Sequence, residues 1–294
     1  MTLSPRIRER RGSPFRRAIL FVAALFAGVS SVAQTVPALN APLPNPKELL
    51  KRALTNEKKR AAEQERYECR VTDTTVKTDK HGNVKKTSTV VQEQFFVNGI
   101  PIERTISKNG RDLSPDQVRK QDERVMKETL KYSNQTTAKK KTDQQNRQIQ
   151  DLIQAMMLTH GRREIVNGRS VLYYDIVPNP KFHARNLTQR FARVMQGTIS
   201  IDEQTGEMID LNIKSVADLR IAGGLLASLH KGFWLHIHNH AEPDGVWLND
   251  LAEGSGNARA ALFFHPYFRF KETTGDCHLY TATAREVGKA TLVK

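Results

Sequence analysis

The spacing of apolar positions changes period several times along the chain. Leu49, Leu50, Ala53 and Leu54 fall on one helical stripe, with Asn45 as cap, Pro46 in the first turn and Glu48 as capping partner. From Tyr67 the period becomes two. Tyr67 to Lys77 and Ser88 to Val97 read as strands around a turn at 79–83, and Asn98-Gly99 and Asn109-Gly110 bracket a third strand, Ile100 to Ser107. An antiparallel meander is predicted here.

Helical spacing then returns. Ser114, Pro115 and Gln117 form a second helix start, followed by a sparse apolar face of Val118, Val125, Met126 and Leu130. Residues 133–148 are almost wholly polar and include Lys139-Lys140-Lys141, which predicts a mobile basic loop or a frayed helix end. Ile149, Leu152, Ile153, Met156 and Met157 follow at i, i+3, i+4, i+7, i+8 and predict a helix running to Gly161. Strands resume with a hairpin on Asn167-Gly168 and a second on Glu203-Gln204-Thr205-Gly206, with a short helix suggested by Leu187, Phe191 and Val194 between them. Leu225 to Ala241, Val246 to Glu253, Arg259 to Phe270 and Cys277 to Thr283 complete the strands, and Gly254-Ser255-Gly256 reads as a hairpin loop.

The expected fold class is α+β: a strongly curved antiparallel sheet, an unclosed barrel of about ten strands, with helices covering the concave face.

Residues 1–33 change the picture. A run of arginines, an apolar segment from Ala18 to Gly28 and small residues ending Ser31-Val32-Ala33 make a cleavable export signal, too short to span a bilayer. Arg16-Arg17 resembles the twin-arginine variant of such signals. No cysteine lies near Ala33 to carry a lipid anchor, so a periplasmic, untethered protein is expected after cleavage there. Residues 34–44 read as an extended leader, and 45–294 as one domain. The full chain carries a net charge of +15; without residues 1–33, 40 basic and 30 acidic side chains remain, a net charge of +10. Export makes nucleic acid an unsuitable partner for that charge and an anionic membrane surface a suitable one. Cys69 and Cys277 are the only cysteines, and an oxidising compartment predicts that they pair, which places the first and last strands together.

Candidate chemistry is sparse. No nucleophile elbow, phosphate loop, H-E-x-x-H, C-x-x-C or dinucleotide-binding glycine pattern occurs, and no cofactor is expected. His236, His238 and His240 alternate on a strand and project from one face. Two readings stand. They are metal ligands of an envelope enzyme, with Glu242, Asp244 or His265 in support, or they line the solvent face with Trp234 while Phe233, Leu235 and Ile237 line the core. Aromatic and aliphatic bulk is concentrated late in the chain, in Phe233, Trp234, Leu262, Phe263, Phe264 and Phe270 among others, more than one face of a strand can hold.

An export signal, a leading helix before Tyr67, the Asn167-Gly168 hairpin and the stretch Gly197-Thr198-Ile199-Ser200-Ile201-Asp202-Glu203-Gln204-Thr205-Gly206-Glu207 together resemble the LolA/LolB-like superfamily of lipoprotein-sorting proteins. The basic stretch 133–148 and the histidine strand lie outside that pattern. The resemblance implies an apolar cavity, beneath a helical lid, that shields lipid or lipoprotein acyl chains and needs no catalysis. On this chain its lining is expected from Ile149, Leu152, Ile153, Met156, Met157, Phe233, Leu235, Ile237, Leu262 and Phe264. A metal-dependent envelope enzyme and an envelope interaction or sensor protein are the alternatives.

Overall fold

The period-two segments pair with one another in antiparallel fashion throughout. The computed structural model describes residues 40–79, 81–221, 227–260 and 267–279. Residues 1–39, which include the expected export signal, lie outside the described residues, as do Leu225, Leu226, Leu262, Phe263, Phe264 and His265.

In chain order the elements are α1 (Pro46–Gln64), β1 (Tyr67–Thr78), β2 (Val84–Val97), β3 (Ile100–Lys108), β4 (Arg111–Asp112), α2 (Pro115–Ser133), α3 (Gln135–Ala155), β5 (Met156–Val166) and β6 (Arg169–Pro178). Then come α4 (Leu187–Ala192), β7 (Met195–Asp202), β8 (Met208–Ser215), β9 (Leu219–Ile221), β10 (Ala227–Leu229), β11 (Trp234–Ala241), β12 (Trp247–Ala260) and β13 (Tyr267–Leu279). Eleven strands form one continuous path, β4-β3-β2-β1-β13-β12-β11-β8-β7-β6-β5, with β10 and β9 branching from β12. Its two ends do not meet, so the sheet is an unclosed antiparallel array with a few helices, the α+β class expected. The meander β1 to β4 and both hairpins form as the turn residues specify, and Asn167 and Gly168 take the positive φ values, 51° and 77°, that a two-residue hairpin needs.

β1 pairs with β13, and Cys69 is bonded to Cys277 across that pair, 208 residues apart in sequence. The bond joins the first and last described strands, which lie side by side within the sheet. Tyr67 and Cys69 pack there with Val246 and Leu248.

Three sequence expectations are corrected. Residues 135–148 are helical: Asn134 Oδ1 accepts from the Thr137 backbone N–H as an N-cap, Lys139 pairs with Asp143 one turn on, and the Gln, Lys and Ala content favours helix even without apolar residues to bury. The stripe that begins at Ile149 leaves the helix at Ala155. Met156 opens β5 because Met157 and Leu158 find strand partners in Val177 and Ile176, and the backbone kinks instead at His160-Gly161, between the pairs of Thr159 and Arg162. Gly254-Ser255-Gly256 is no loop but part of β12, Gly254 and Ser255 paired with both β11 and β13 and Gly256 with β13. A Cβ on Gly254 would stand 2.5 Å from the Trp234 carbonyl and 2.9 Å from the Phe270 ring, and one on Gly256 would meet Phe233 at 2.8 Å. These glycines make room for aromatic rings and do not turn the chain.

The turn after β7 is gripped from outside. Leu49 of α1 is buried against Leu172, Tyr174 and Ile201. Arg52 donates to the Glu203 carbonyl, Asn56 to the Thr205 carbonyl at 2.5 Å, and Arg60 pairs with Glu207 at 3.2 Å. Beneath them the Arg163 guanidinium, 2% exposed, binds both Glu203 carboxylate oxygens at 2.6 and 2.7 Å and reaches back to the Ala41 carbonyl at 2.6 Å. Ser170 adds a 2.5 Å bond to the same carboxylate. Arg163 first, and Ser170 after it, hold Glu203 below the usual carboxylate range. Burial opposes the charge of Asp202, but Arg169 and Thr205 outweigh it and pull its carboxyl down as well. The hairpin between β7 and β8 is thus held by paired charges, Arg163 with Glu203 and Arg169 with Asp202.

Candidate functional site

Registered pairs across β6, β7, β8 and β11 build one apolar surface row by row. Ile176 faces Gly197, Gly197 faces Ile213 and Ile213 faces Leu235; one row along, Tyr174, Ile199, Leu211 and Ile237 stand in line. Ile176, Met195 and Ile213 are buried at its centre. Around them Met156, Leu158, Phe191, Val194, Ile199, Leu211, Phe233 and Leu235 pack only half-buried. Phe191 of α4 meets Phe233 edge to face, centroids 6.3 Å apart. Followed further, the second row turns polar: Ile237 pairs with Ala252, Ala252 with Glu272, and Glu272 with Asp73. Burial, then the charges of Glu103 and Asp73, push the Glu272 carboxyl up. The second row is therefore apolar only as far as β12, while the first continues through Gly254 to Phe270 of β13.

Of the residues expected to line a cavity, the structure brings Met156, Phe233 and Leu235 onto this surface, with Ile237 in the adjoining row. Ile149, Leu152 and Ile153 are half-buried on α3, which is tied to α4 through Asp151: its carboxylate accepts from Asn186 at 2.8 Å and from Gln189 at 2.7 Å. Met157, 36% exposed, alternates to the other side of β5 from Met156. Leu262 and Phe264 lie outside the described residues. Sequence reasoning missed Phe191, Val194, Leu211 and Ile199 as members, although the alternation of β7 and β8 held the signal for the last two.

The other face of β11 carries the histidines. His236 Nε2 lies 3.0 Å from Asp210 and its Nδ1 3.3 Å from Glu253; His238 Nδ1 is 2.6 Å from Asp250; His240 Nε2 is 3.1 Å from Glu242. Trp234 stands 38% exposed on the same side. His236 lies between Asp210 and Glu253, whereas His238 and His240 share Asp250, the latter with its Nδ1 at 3.6 Å. Among the described residues no group of three or more His, Cys, Asp or Glu is placed to hold a metal ion. At His236 burial disfavours the charge, but Asp210 and Glu253 together outweigh it and raise the imidazole above its ordinary value.

A groove of about 540 Å³ opens beside α4, lined by Ala184, Arg190, Arg193, Val194, Asp218, Leu219 and Arg220. It was not foreseen: the helical spacing of Leu187, Phe191 and Val194 marks α4 but not the arginines between them, and β9 is three residues long. Among the described residues no helix is long and apolar enough to cross a membrane.

No model of a known protein family matches the chain, and no curated protein matches it. Among solved structures it is similar to the crystal structure of a DUF1329 family protein from Desulfovibrio piger, at 9% identity and a TM-score of 0.30, over 85% of this chain and 100% of that one. At so low a TM-score the likeness carries no weight for function.

Proposed function

We propose that this protein is an exported envelope carrier that binds lipid or lipoprotein acyl chains on the apolar surface of β5 to β8 and β11. The observation that carries the proposal is the incomplete cover of that surface. Eight apolar side chains, among them Met156, Phe191, Phe233 and Leu235, pack round the buried centre yet stay accessible. An acyl chain laid on them removes both surfaces from water, contributing about 0.8 kcal/mol per buried methylene. Met156 and Leu158 at one border suit chains of varied shape, since a thioether repacks easily. The export signal and the Cys69–Cys277 bond support an oxidising compartment for this role.

The test is lipid analysis of natively purified protein together with uptake of a fluorescent acyl probe by delipidated protein. Co-purifying lipid and saturable uptake, weakened by Leu235→Asp, are expected. Absence of both lipid and uptake in folded protein would overturn the proposal.

A further inference from the structure

The groove beside α4 gathers three arginines and a single carboxylate around one opening. Nine of the described arginines are ion-paired to a carboxylate, while others, such as Arg111 and Arg147, stand singly on the surface. Arg190, Arg193 and Arg220 share one groove with a single carboxylate, Asp218, and none of the three is in an ion pair among the described residues. Asp218 is itself engaged: it accepts from the Lys231 backbone N–H at 2.8 Å and lies 3.5 Å from His230 Nδ1. The Lys231 N–H first, with His230 and Arg220 adding to it, holds its carboxyl below the usual range, so it stays charged and still leaves the wall with an excess of two positive charges. Arg190 Nη2 donates to the Arg220 carbonyl, which fixes two of the three arginine segments against each other.

The groove also adjoins the apolar surface. Arg190 and Arg193 of the α4 turn line it, while the residues beside them in sequence, Phe191 and Val194, pack on the apolar cluster; Val194 belongs to both. A ligand with a charged head and an apolar tail spans the two without a gap. Guanidinium groups bind phosphate oxygens through paired, charge-assisted hydrogen bonds, and three around one groove match a phosphate better than the single planar edge of a carboxylate. A volume of about 540 Å³ exceeds what a bare phosphate fills and suits a substituted head group.

The geometry points to a phosphate-recognition site formed by Arg190, Arg193 and Arg220, whose ligand is the head group of an anionic phospholipid with its acyl chain on the neighbouring apolar surface. This rests on the acyl-binding reading above and names its ligand class.

The experiment measures binding of three probes to the full protein: dihexanoyl phosphatidylglycerol, neutral dihexanoylglycerol and inorganic phosphate. Expected is about tenfold tighter binding of the charged lipid than of the neutral one, falling as salt is raised, with phosphate competing against the charged lipid alone. In Arg190→Gln/Arg193→Gln/Arg220→Gln the two lipids should bind alike, at the affinity of the neutral one. All three side chains are exposed, so the variant should melt as the parent does; Arg193→Gln alone serves as a second variant and should lose part of the preference. Equal affinity for both lipids in the parent, or a preference that survives the triple variant, overturns the head-group site and leaves acyl binding intact. Arginine-dependent binding of phosphate with no binding of either lipid makes free phosphate the ligand and overturns both readings.

Discussion

Arg163 and the arginines of the α4 groove show two uses of one side chain. Arg163 is sealed beneath α1, and every neighbour answers it: both oxygens of Glu203, the Ala41 and Pro42 carbonyls, with Ser170 completing the carboxylate. Arg190, Arg193 and Arg220 stand exposed around an open groove with one already occupied carboxylate. A buried charge is tolerated only when paired, so the first arrangement serves the fold. An exposed cation cluster stabilises nothing by itself, and its like charges repel. Its place beside a half-covered apolar surface is what the proposed head-group site accounts for.

The sharpest way to break the comparison is Arg163→Ala. It leaves Glu203 charged and buried without its partner, and urea denaturation should show a loss of about 3–5 kcal/mol. A loss near zero would mean that the cluster does not lock the hairpin. Next, Cys69→Ser/Cys277→Ser should lower stability by about 2–5 kcal/mol, given a closed loop of some 200 residues, without altering lipid binding. A change in binding would tie the β1–β13 junction to the apolar surface.

Acid should weaken the locked region. Glu203 and Asp202 have folded-state pKa values below their ordinary ones, so their contribution is present above the ordinary carboxylate range and is lost as pH falls through the folded values. His236 has the opposite sign. Its folded pKa is raised, so its contribution is fully present below 6.5 and fades as pH rises through the folded value. His236→Gln should remove that neutral-to-alkaline slope, an effect under about 1 kcal/mol by thermal melting at several pH values, because the pair is only partly buried. Smallest of all, Arg193→Gln should stay within about 0.5 kcal/mol of the parent.

Local chemistry made much of the sheet legible in the sequence. Asn167-Gly168, the Ser114 capping box and the alternation of β7 and β8 each specify their element through contacts a few residues away, and the structure follows them. Failures came where distant partners decide. Met156 and Met157 continue a helical stripe, yet Ile176 and its neighbours on β6 recruit that stretch into the sheet. Gly254 and Gly256 look like a turn until Phe233 and Phe270 are seen to need their missing side chains. The histidine face followed from alternation alone, and so did the opposite placement of Leu235 and Ile237. The Arg163–Glu203 pair, 40 residues apart, and the arginine groove, assembled from α4 and β9, had no spacing that sequence could reveal.

Acyl binding on the β5 to β8 and β11 surface is tested most directly by photo-crosslinking with a fatty acid that carries a diazirine near its tail, followed by peptide mapping. Labelling of peptides containing Met156, Phe191, Phe233 or Leu235, reduced by excess unlabelled lipid, is the expected result. Labelling confined to other parts of the sheet, or label that unlabelled lipid does not displace, would contradict it.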